Sequence, residues 1–265
     1  MSVGYAITFD GAVSTTAVPE LIVQTVDREL LGEVRDDYVV VPGFAGSVLF
    51  PELDGDRTID MECQIVAASG TARRAAVRAL AKWVRKTERK RLIIDQEPDR
   101  FWMAKLEDNA SVTERTTRGF FTLTWRTGPY AMSLATSEVS ATRSSGVALT
   151  ADAVSASDVE VEPVIEIVAN TPNPAGFTIT IGGTDLVYGA SVLAADELTI
   201  SCVTQTVVTG LWADEELDTG SFDGASLSMS SVSGAFGVLN GDGGNSVVVT
   251  GIDADVRIVW RERYL

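Results

Sequence analysis

The chain has 265 residues, of which 45% are hydrophobic, and carries a formal net charge of −16 with no histidine. This composition is typical of a folded protein and not of a disordered one. Without histidine the chain cannot form a Ser-His-Asp or Cys-His catalytic arrangement or a histidine-based zinc site. It has no run of about 18 apolar residues, and its N-terminus lacks the basic region and apolar core of a secretory signal. We therefore expect no membrane anchor.

Charge is divided unevenly along the sequence. Residues 1–130 contain 17 Lys and Arg against 19 Asp and Glu, a net of −2, whereas residues 131–265 contain 4 against 18, a net of −14. A shift of this size predicts two domains. We expect the acidic half to avoid nucleic acid and anionic membranes.

The pattern of the first 130 residues predicts several strands, then one helix, then further strands. Alternating or apolar runs predict strands at 5–10, 20–30, 46–50, 57–66, 90–98, 100–108 and 111–127. Residues 71–86 are rich in Ala, Arg and Lys and follow the turn Ser69-Gly70-Thr71, which offers a candidate N-cap; this predicts one amphipathic helix. Apolar side chains fall on one arc of this helix and basic side chains on the other. The pattern predicts an α+β domain with an antiparallel, sandwich-like sheet and one helix.

The stretch GFFTLTWRTGPYAM, residues 119–132, closes this region. Alternation places Phe121, Leu123 and Trp125 on one buried face. Proline cannot donate to a strand ladder and biases its predecessor away from helix, so Gly128-Pro129 predicts the exit from a domain 1–130.

The second half predicts strands without a helix. Strand candidates are 147–154, 163–169, 177–189 around a Gly182-Gly183 turn, 197–208, 221–229, 245–251 and 254–265. Short strands at this spacing are typical of an all-β sandwich. We expect residues 163–265 to form that domain and residues 131–162 to be a linker or crossing strands.

Two cysteines, Cys63 and Cys202, lie far apart in alternating apolar runs. This favours buried free thiols, with a disulfide between the halves as the alternative. Cysteine usage of this kind predicts a protein made in a reducing compartment.

The basic helix is the main candidate for an interaction surface. Together with the residues that follow it, from Arg73 to Arg91, the helix carries nine positive charges in nineteen residues, and Glu88 is the one acidic residue among them. Such a face binds phosphate or an acidic partner surface, unless it is simply a solvated helix face. We favour an acidic protein neighbour, contacted by Arg74, Arg78, Lys82, Arg85 and Lys86.

Carboxylates and aromatics supply weaker candidates. Asp214, Glu215, Glu216 and Asp218 form either a solvated acidic loop or an oxygen-rich calcium site, although they do not match an EF-hand. Glu160 and Glu162 have the alternation of a glycosidase pair without a visible cleft. The aromatics that interleave with basic residues favour a packed sheet face over base stacking; they are Phe101, Trp102, Phe120, Phe121 and Trp125. These patterns imply no cofactor and no enzyme activity.

The order of motifs resembles the distal tail proteins of long-tailed phages. After the helix comes a strand with the family pattern at Asp99, Phe101, Trp102, Ala104 and Leu106, and then one at Gly119, Phe121, Leu123, Trp125, Pro129 and Tyr130. The second half restarts with Pro163, Ile165 and Ile167, followed by a hairpin with Gly183 and Leu186. It ends with Leu239, Gly241, Asn245, Val247, Val249 and the sequence Trp260-Arg261-Glu262-Arg263-Tyr264. The resemblance covers about residues 1–130 and 160–265, and departs where Gly241 and Asn245 are separated by three residues instead of one.

The resemblance implies a virion structural protein at the tail tip, assembled in the host cytoplasm. In this family a hexameric ring joins the tail tube protein to the tail-tip hub protein and holds receptor-binding or other baseplate proteins. DNA passes through the lumen without specific binding. The first domain supplies the ring, and the second is a galectin-like or jelly-roll sandwich pointing outward. The alternative function is a carbohydrate-binding sandwich used in host adsorption, for which Tyr188 and Trp212 are the aromatic candidates.

Overall fold

The computed structural model describes residues 4–30, 32, 34–35, 38–39, 48–49, 53–107, 111–143, 149–210, 232–241 and 243–265. The chain divides into two compact units: Met1–Leu134 with Leu265, and Ala135–Tyr264. The predicted strand 221–229, the acidic cluster 214–218 and Trp212 lie outside the described residues. No helix in the described part of the chain has the length and apolar character that crossing a membrane requires.

The first unit contains strands and two helices. Its helices are α1 (Ser14–Ala17) and α2 (Gly70–Val84). Its strands are β1 (Ile7–Phe9), β2 (Ala12–Val13), β3 (Leu21–Arg28), β4 (Val34–Arg35), β5 (Tyr38–Val39), β6 (Val48–Leu49), β7 (Leu53–Asp54), β8 (Arg57–Val66), β9 (Lys90–Ile94), β10 (Arg100–Leu106), β11 (Thr113–Glu114), β12 (Arg118–Thr127) and β13 (Ala131–Ser133).

The main sheet of this unit closes into a barrel. Its order is β1–β9–β10–β12–β8–β3, with every pair antiparallel. Tyr5, just ahead of β1, then forms a bridge with Val23 of β3, with the Tyr5 nitrogen 2.9 Å from the Val23 oxygen. The predicted antiparallel pairing of this sheet is confirmed, and the sandwich-like arrangement stays a prediction. The Tyr5–Val23 bridge brings the two ends of the strand order together.

Strands β8 and β12 form the longest ladder of the barrel. They pair over ten positions, from Arg118 opposite Val66 to Thr127 opposite Arg57. Alternation sends Phe121, Leu123 and Trp125 inward, as predicted, and Trp125 is fully buried. Its ring lies 4.7 Å from that of Phe9, which places the aromatic core between β12 and β1.

The first unit continues past the Gly128-Pro129 step. Strand β13 pairs with β10, where Met132 lies opposite Phe101. The Leu134 nitrogen also bonds to the Asp99 oxygen at 2.7 Å. The proline therefore produces a turn within the unit, and the boundary falls at residue 134 instead of 130.

The second unit is built from two antiparallel sheets. Its strands are β14 (Ser137–Arg143), β15 (Leu149–Ser155), β16 (Val164–Ala169), β17 (Phe177–Ile181), β18 (Thr184–Tyr188), β19 (Glu197–Ser201), β20 (Thr206–Thr209), β21 (Val232–Gly234), β22 (Gly243–Thr250), β23 (Ala254–Trp260) and β24 (Arg263–Tyr264). One sheet has the order β14–β23–β16–β19–β20, and the other has the order β15–β22–β17–β18–β21. Apolar side chains from both sheets share one core.

Strands β14 and β15 bring residues ahead of 163 into the second unit. Ser137–Arg143 pairs along β23, and Leu149–Ser155 pairs along β22. Of the two alternatives for residues 131–162, the structure thus shows strands that pair with the sheets, and the second unit begins at Ala135.

Two predicted strands of the second unit are each interrupted. The run 197–208 is a hairpin of β19 and β20, with Gln205 at a positive φ of 54° in the turn. The run 254–265 breaks after Trp260, because Glu262 turns inward. By contrast, the predicted turn at Gly182-Gly183 is confirmed, with positive φ values of 56° and 84° that glycine adopts more readily than other residues.

Candidate interaction surface on the basic helix

Helix α2 forms where the sequence predicts it. The Ser69 hydroxyl accepts a hydrogen bond from the Ala72 nitrogen at 3.1 Å and caps the first turn. Ala76, Leu80 and Val84 recur along one face and are buried. The helix packs against β8 and β12, so its opposite face is presented to solvent.

Four of the five predicted contact residues form one exposed row. Arg74, Arg78 and Lys82 are exposed along α2, and exposed Arg85 follows the last turn. Their spacing of four, four and three places them on one face over roughly 16 Å of axis. No ion pair joins any of the four to a carboxylate of the described residues. We call this row, Arg74, Arg78, Lys82 and Arg85, the basic stripe.

The fifth residue, Lys86, has a partner within the unit. Its amine lies 2.6 Å from a carboxylate oxygen of Asp10; Lys86 is half-buried and Asp10 is exposed. Lys86 therefore ties the exit of α2 to the turn after β1 and is less available to a partner than the stripe.

Arg73 belongs to the folded core instead of the basic face. It is 5% exposed and donates to the carbonyl oxygens of Arg115 and Thr116 and to the Glu114 carboxylate. These contacts fix α2 to the turn between β11 and β12. Helical spacing places Arg73 on the same side as Ala76 and Leu80, apart from the predicted contact residues, but its partners in that turn depend on the fold.

Further basic residues near the helix exit are paired. Arg89 and Arg126 reach Asp56 Oδ2 at 2.5 and 2.9 Å. Burial raises the pKa of the Asp56 carboxyl, but hydrogen bonds and charges from Arg89 and Arg126 outweigh it and hold that pKa below its ordinary value. The unpaired positive charge of this region is therefore concentrated on the basic stripe.

The two carboxylates considered as a glycosidase pair, Glu160 and Glu162, lie in different environments. Glu162 forms an ion pair of 2.6 Å with Arg263, and Glu160 is exposed. Among the described residues, no group of three or more His, Cys, Asp or Glu side chains is placed to hold a metal ion.

Both cysteines are free and buried, which confirms the favoured prediction. Burial raises the pKa of the Cys63 thiol to about 12. Burial and the nearby Glu162 charge raise the pKa of the Cys202 thiol to about 12. Each thiol therefore stays protonated and packs as a small apolar side chain.

Tyr188 does not provide an aromatic platform for a sugar. It is 5% exposed, and its ring packs 5.1 Å from that of Phe177. Burial and the Asp196 charge raise the pKa of its hydroxyl. Tyr188 therefore packs in the core of the second unit and does not present its ring as an exposed stacking surface.

Glu262 is a structurally important residue that the motif comparison missed. It is 6% exposed, and its carboxylate accepts five hydrogen bonds. The donors are Trp260 Nε1 (2.8 Å), Ser137 Oγ (3.0 Å), Ser155 Oγ (2.7 Å), Ser157 Oγ (2.6 Å) and the Ala156 nitrogen (3.1 Å). It therefore joins β14, the end of β15 and the end of β23.

The protonation of Glu262 follows from those contacts. Burial raises the pKa of its carboxyl. Hydrogen bonds from Ser157, Ser155, Trp260 and Ser137 lower that pKa by more than burial raises it, so the pKa lies below its ordinary value. The side chain is thus held as an anion. In the sequence, an isolated Glu between two Arg residues gives no sign of this environment.

Comparisons with known proteins agree with this architecture. Residues 21–125 match the model of the phage tail protein RIFT-related domain family. Over 98% of this chain and 99% of the other, the structure is similar to the crystal structure of SPP1 Dit (gp 19.1), described as a paradigm of the hub adsorption apparatus in phages infecting Gram-positive bacteria. The TM-score is 0.74 and the sequence identity 14%.

Two further structures match with a TM-score of 0.47 and 9% identity over 97% of each chain. They are the phage p2 baseplate in its activated conformation with Ca and with Sr. No curated protein matches the chain. Residues 21–125 are thus similar to the phage tail RIFT-related domain, and the chain has the fold of the SPP1 protein. These two matches confirm the resemblance to siphovirus distal tail proteins.

Proposed function

We propose that this protein forms a hexameric ring at the distal end of a long phage tail. The ring joins the tail tube to the tail-tip hub and anchors baseplate or receptor-binding proteins. The observation that carries the proposal is the likeness to SPP1 Dit over nearly the whole of both chains. The phage tail domain in residues 21–125 supports it independently.

The ring requires an interface that joins two different surfaces of the chain. Such a heterologous contact closes into a ring when the rotation between copies is right. Both halves of the sequence carry a net negative charge, −2 and −14, so electrostatic attraction between copies requires a local positive surface, which the basic stripe provides. The first domain supplies the ring in this proposal, and the second faces outward.

We propose that the basic stripe contacts an acidic protein surface and does not line the lumen. Cations along a channel wall would neutralise phosphates and hold the DNA that must pass. The stripe instead suits a neighbouring copy or another tail protein, since its four cations lack ion-pair partners among the described residues. A ring structure with Arg78 and Lys82 facing the channel would contradict this.

Charge reversal on the stripe tests its role. In R78E/K82E we expect at least about a tenfold increase in the concentration needed for assembly, because like charges now face each other. Sedimentation velocity measures the assembly, and circular dichroism should show an unchanged fold because both side chains are exposed. R118E is the control, since Arg118 is also exposed and lacks an ion pair within the described residues; an equal effect of R118E would contradict a specific role.

The mass of the particle in solution tests the ring itself. We expect six times the 28.2 kDa mass of one chain, and ring-shaped particles by electron microscopy. A closed two-fold dimer would contradict the proposal, because it buries the same surface on both copies and leaves no site for ring growth.

A further inference from the structure

Three carboxylates of the first unit lie together on the sheet formed by β3 and β8. Asp27 of β3 is directly opposite Asp60 of β8, and Glu62 follows Asp60 two residues along the same strand. Alternation places Asp60 and Glu62 on the face of β8 opposite to the buried Met61. Asp27 and Glu62 are exposed, and neither forms an ion pair with a cation of the described residues. We call Asp27, Asp60 and Glu62 the acidic patch.

The charge of the acidic patch is not compensated within the described part of the first unit. Like charges directly opposite each other on neighbouring strands repel, and Asp27 and Asp60 form such a pair. Arg126, which lies on the same face, is already paired with Asp56 at 2.9 Å. Arg118 is four residues along β12 from the position opposite the patch, or roughly 13 Å away. A cation from another molecule would therefore stabilise the patch.

A hollow of about 580 Å³ opens beside the acidic patch. Its polar lining includes Gln24, Glu62, Glu107, Thr122 and Thr124. Carboxylate, hydroxyl and amide oxygens all accept hydrogen bonds from the ammonium of lysine or the guanidinium of arginine. The hollow therefore fits a long cationic side chain that reaches it from outside the unit.

The basic stripe lies on the other side of the same sheet. Leu80 and Val84 of α2 line a groove together with the buried Phe121 and Leu123, so the helix covers the inward face of β12. The stripe points away from that face, and the acidic patch lies on the outward face. A contact between stripe and patch is therefore heterologous, as ring closure requires.

The spacing of the charges also matches. Residues four positions apart on a helix have Cβ atoms about 5–6 Å apart, and alternate residues of a strand lie about 7 Å apart. Arg78 and Lys82 thus present two positive charges at nearly the separation of Asp60 and Glu62. Both members of the helical pair are exposed and lack an ion pair with any described carboxylate.

We propose that the basic stripe of one copy binds the acidic patch of the next copy, with Arg78 and Lys82 facing Asp60 and Glu62. The inference rests on the proposed ring and names the two surfaces of the first domain that build it. The occupant of the patch is a second copy because one unit carries both complementary surfaces. The second unit contributes nothing to this contact.

Charge reversal of the acidic patch tests the contact. In D27K/E62K we expect at least about a tenfold increase in the concentration needed for assembly, measured by sedimentation velocity on the full chain. D152K is the matched control, because Asp152 is an exposed strand carboxylate of the second unit without an ion pair among the described residues. For D152K we expect a change of less than about twofold.

Thermal unfolding separates loss of the contact from loss of the fold. D27K replaces repulsion between Asp27 and Asp60 by attraction, so its unfolding midpoint should stay unchanged or rise. The midpoint is measured on the unassembled chain, at a concentration below that needed for assembly. If assembly weakens only in those patch variants whose midpoint falls, the inference is overturned.

A charge exchange tests the pairing directly. D27K/E62K combined with R78E/K82E should restore assembly to within about threefold of the wild type, because opposite charges then meet again. If D27K/E62K assembles like D152K, or if the exchange fails to restore assembly, the inference is overturned while the ring proposal stands. If patch variants assemble normally but lose another tail protein, that protein is the occupant and the inference is again overturned. A wild-type chain that forms no sixfold particle, alone or on tail tubes, overturns both.

Discussion

Replacing Glu262 by Ala is expected to lower the free energy of unfolding of the second unit by about 3 kcal/mol. The substitution removes the shared acceptor of five hydrogen bonds at a position that is 6% exposed. The serine hydroxyls rotate to other acceptors, but Trp260 Nε1 remains buried without its partner. E262Q should cost less, about 2 kcal/mol, because the amide keeps one acceptor oxygen and brings an NH₂ group against donors.

The pH dependence of this contribution has a defined sign. The pKa of Glu262 is lowered on folding from an ordinary value of 4.5. Its stabilising contribution is therefore fully present above pH 4.5 and is lost as the pH falls through the folded pKa. E262Q should lose this dependence, so its stability relative to wild type should improve as the solution is acidified.

Hydrogen exchange on the full chain measures this effect where it arises. Loss of protection should concentrate in β23 and in residues 155–157. E138Q is the control, because Glu138 pairs with Arg257 on the same sheet at 2.8 Å but is 51% exposed. We expect it to cost under about 1 kcal/mol. An E262A chain as stable as E138Q would contradict the structural role of Glu262.

Replacing Trp125 by Ala is expected to destabilise the first unit by about 4 kcal/mol. The side chain is fully buried in the barrel and packs against Phe9. Truncation leaves a cavity that the surrounding strands fill only in part. W125F should cost less, under about 1.5 kcal/mol, because it keeps an aromatic ring and removes an indole N–H that has no hydrogen-bond partner among the described residues.

The alternation of β12 supplies the control for this substitution. Phe120 lies on the opposite face of the strand and is half-exposed, so F120A should cost about 1 kcal/mol. Denaturant unfolding followed by hydrogen exchange in β8 and β12 reports on the first unit separately from the second. Equal losses in W125A and F120A would contradict the assignment of the buried face.

Local patterns predicted much of the strand and helix placement. The alternating run 57–66 coincides with β8, because one face of that strand is buried and the other is polar. The helix 71–86 is observed at Gly70–Val84, where a capping serine and a regular apolar row both act locally. The Gly182-Gly183 hairpin was likewise predictable from the sequence, since a two-residue turn of this kind favours glycine.

Features that depend on contacts between residues far apart in the chain could not be predicted from the sequence. Barrel closure requires Tyr5 to meet Val23, and no local pattern encodes that pairing. The turn in 197–208 lacks glycine and proline, so the alternating run hid it. The sequence gives no sign of the burial of Glu262, because its serine donors come from more than 100 positions earlier.

On the basic face of α2, too, local patterns predicted some features, whereas others depend on tertiary contacts. Helical spacing alone predicted the row Arg74, Arg78, Lys82 and Arg85 on one face. The pairing of Lys86 with Asp10 depends on the fold, as does the burial of Arg73 among backbone carbonyls. A sequence pattern can thus group charges on a helix, but only tertiary contacts show which of them stay unpaired.

Position on the particle tests the central claim most directly. Antibodies against this protein, visualised with gold by electron microscopy of intact virions, should label the end of the tail farthest from the capsid. Virions treated with preimmune antibody provide the control for background. Label confined to that end is the result we expect, whereas label on the capsid, along the tail tube, or on no part of the virion would contradict a role as the distal tail ring.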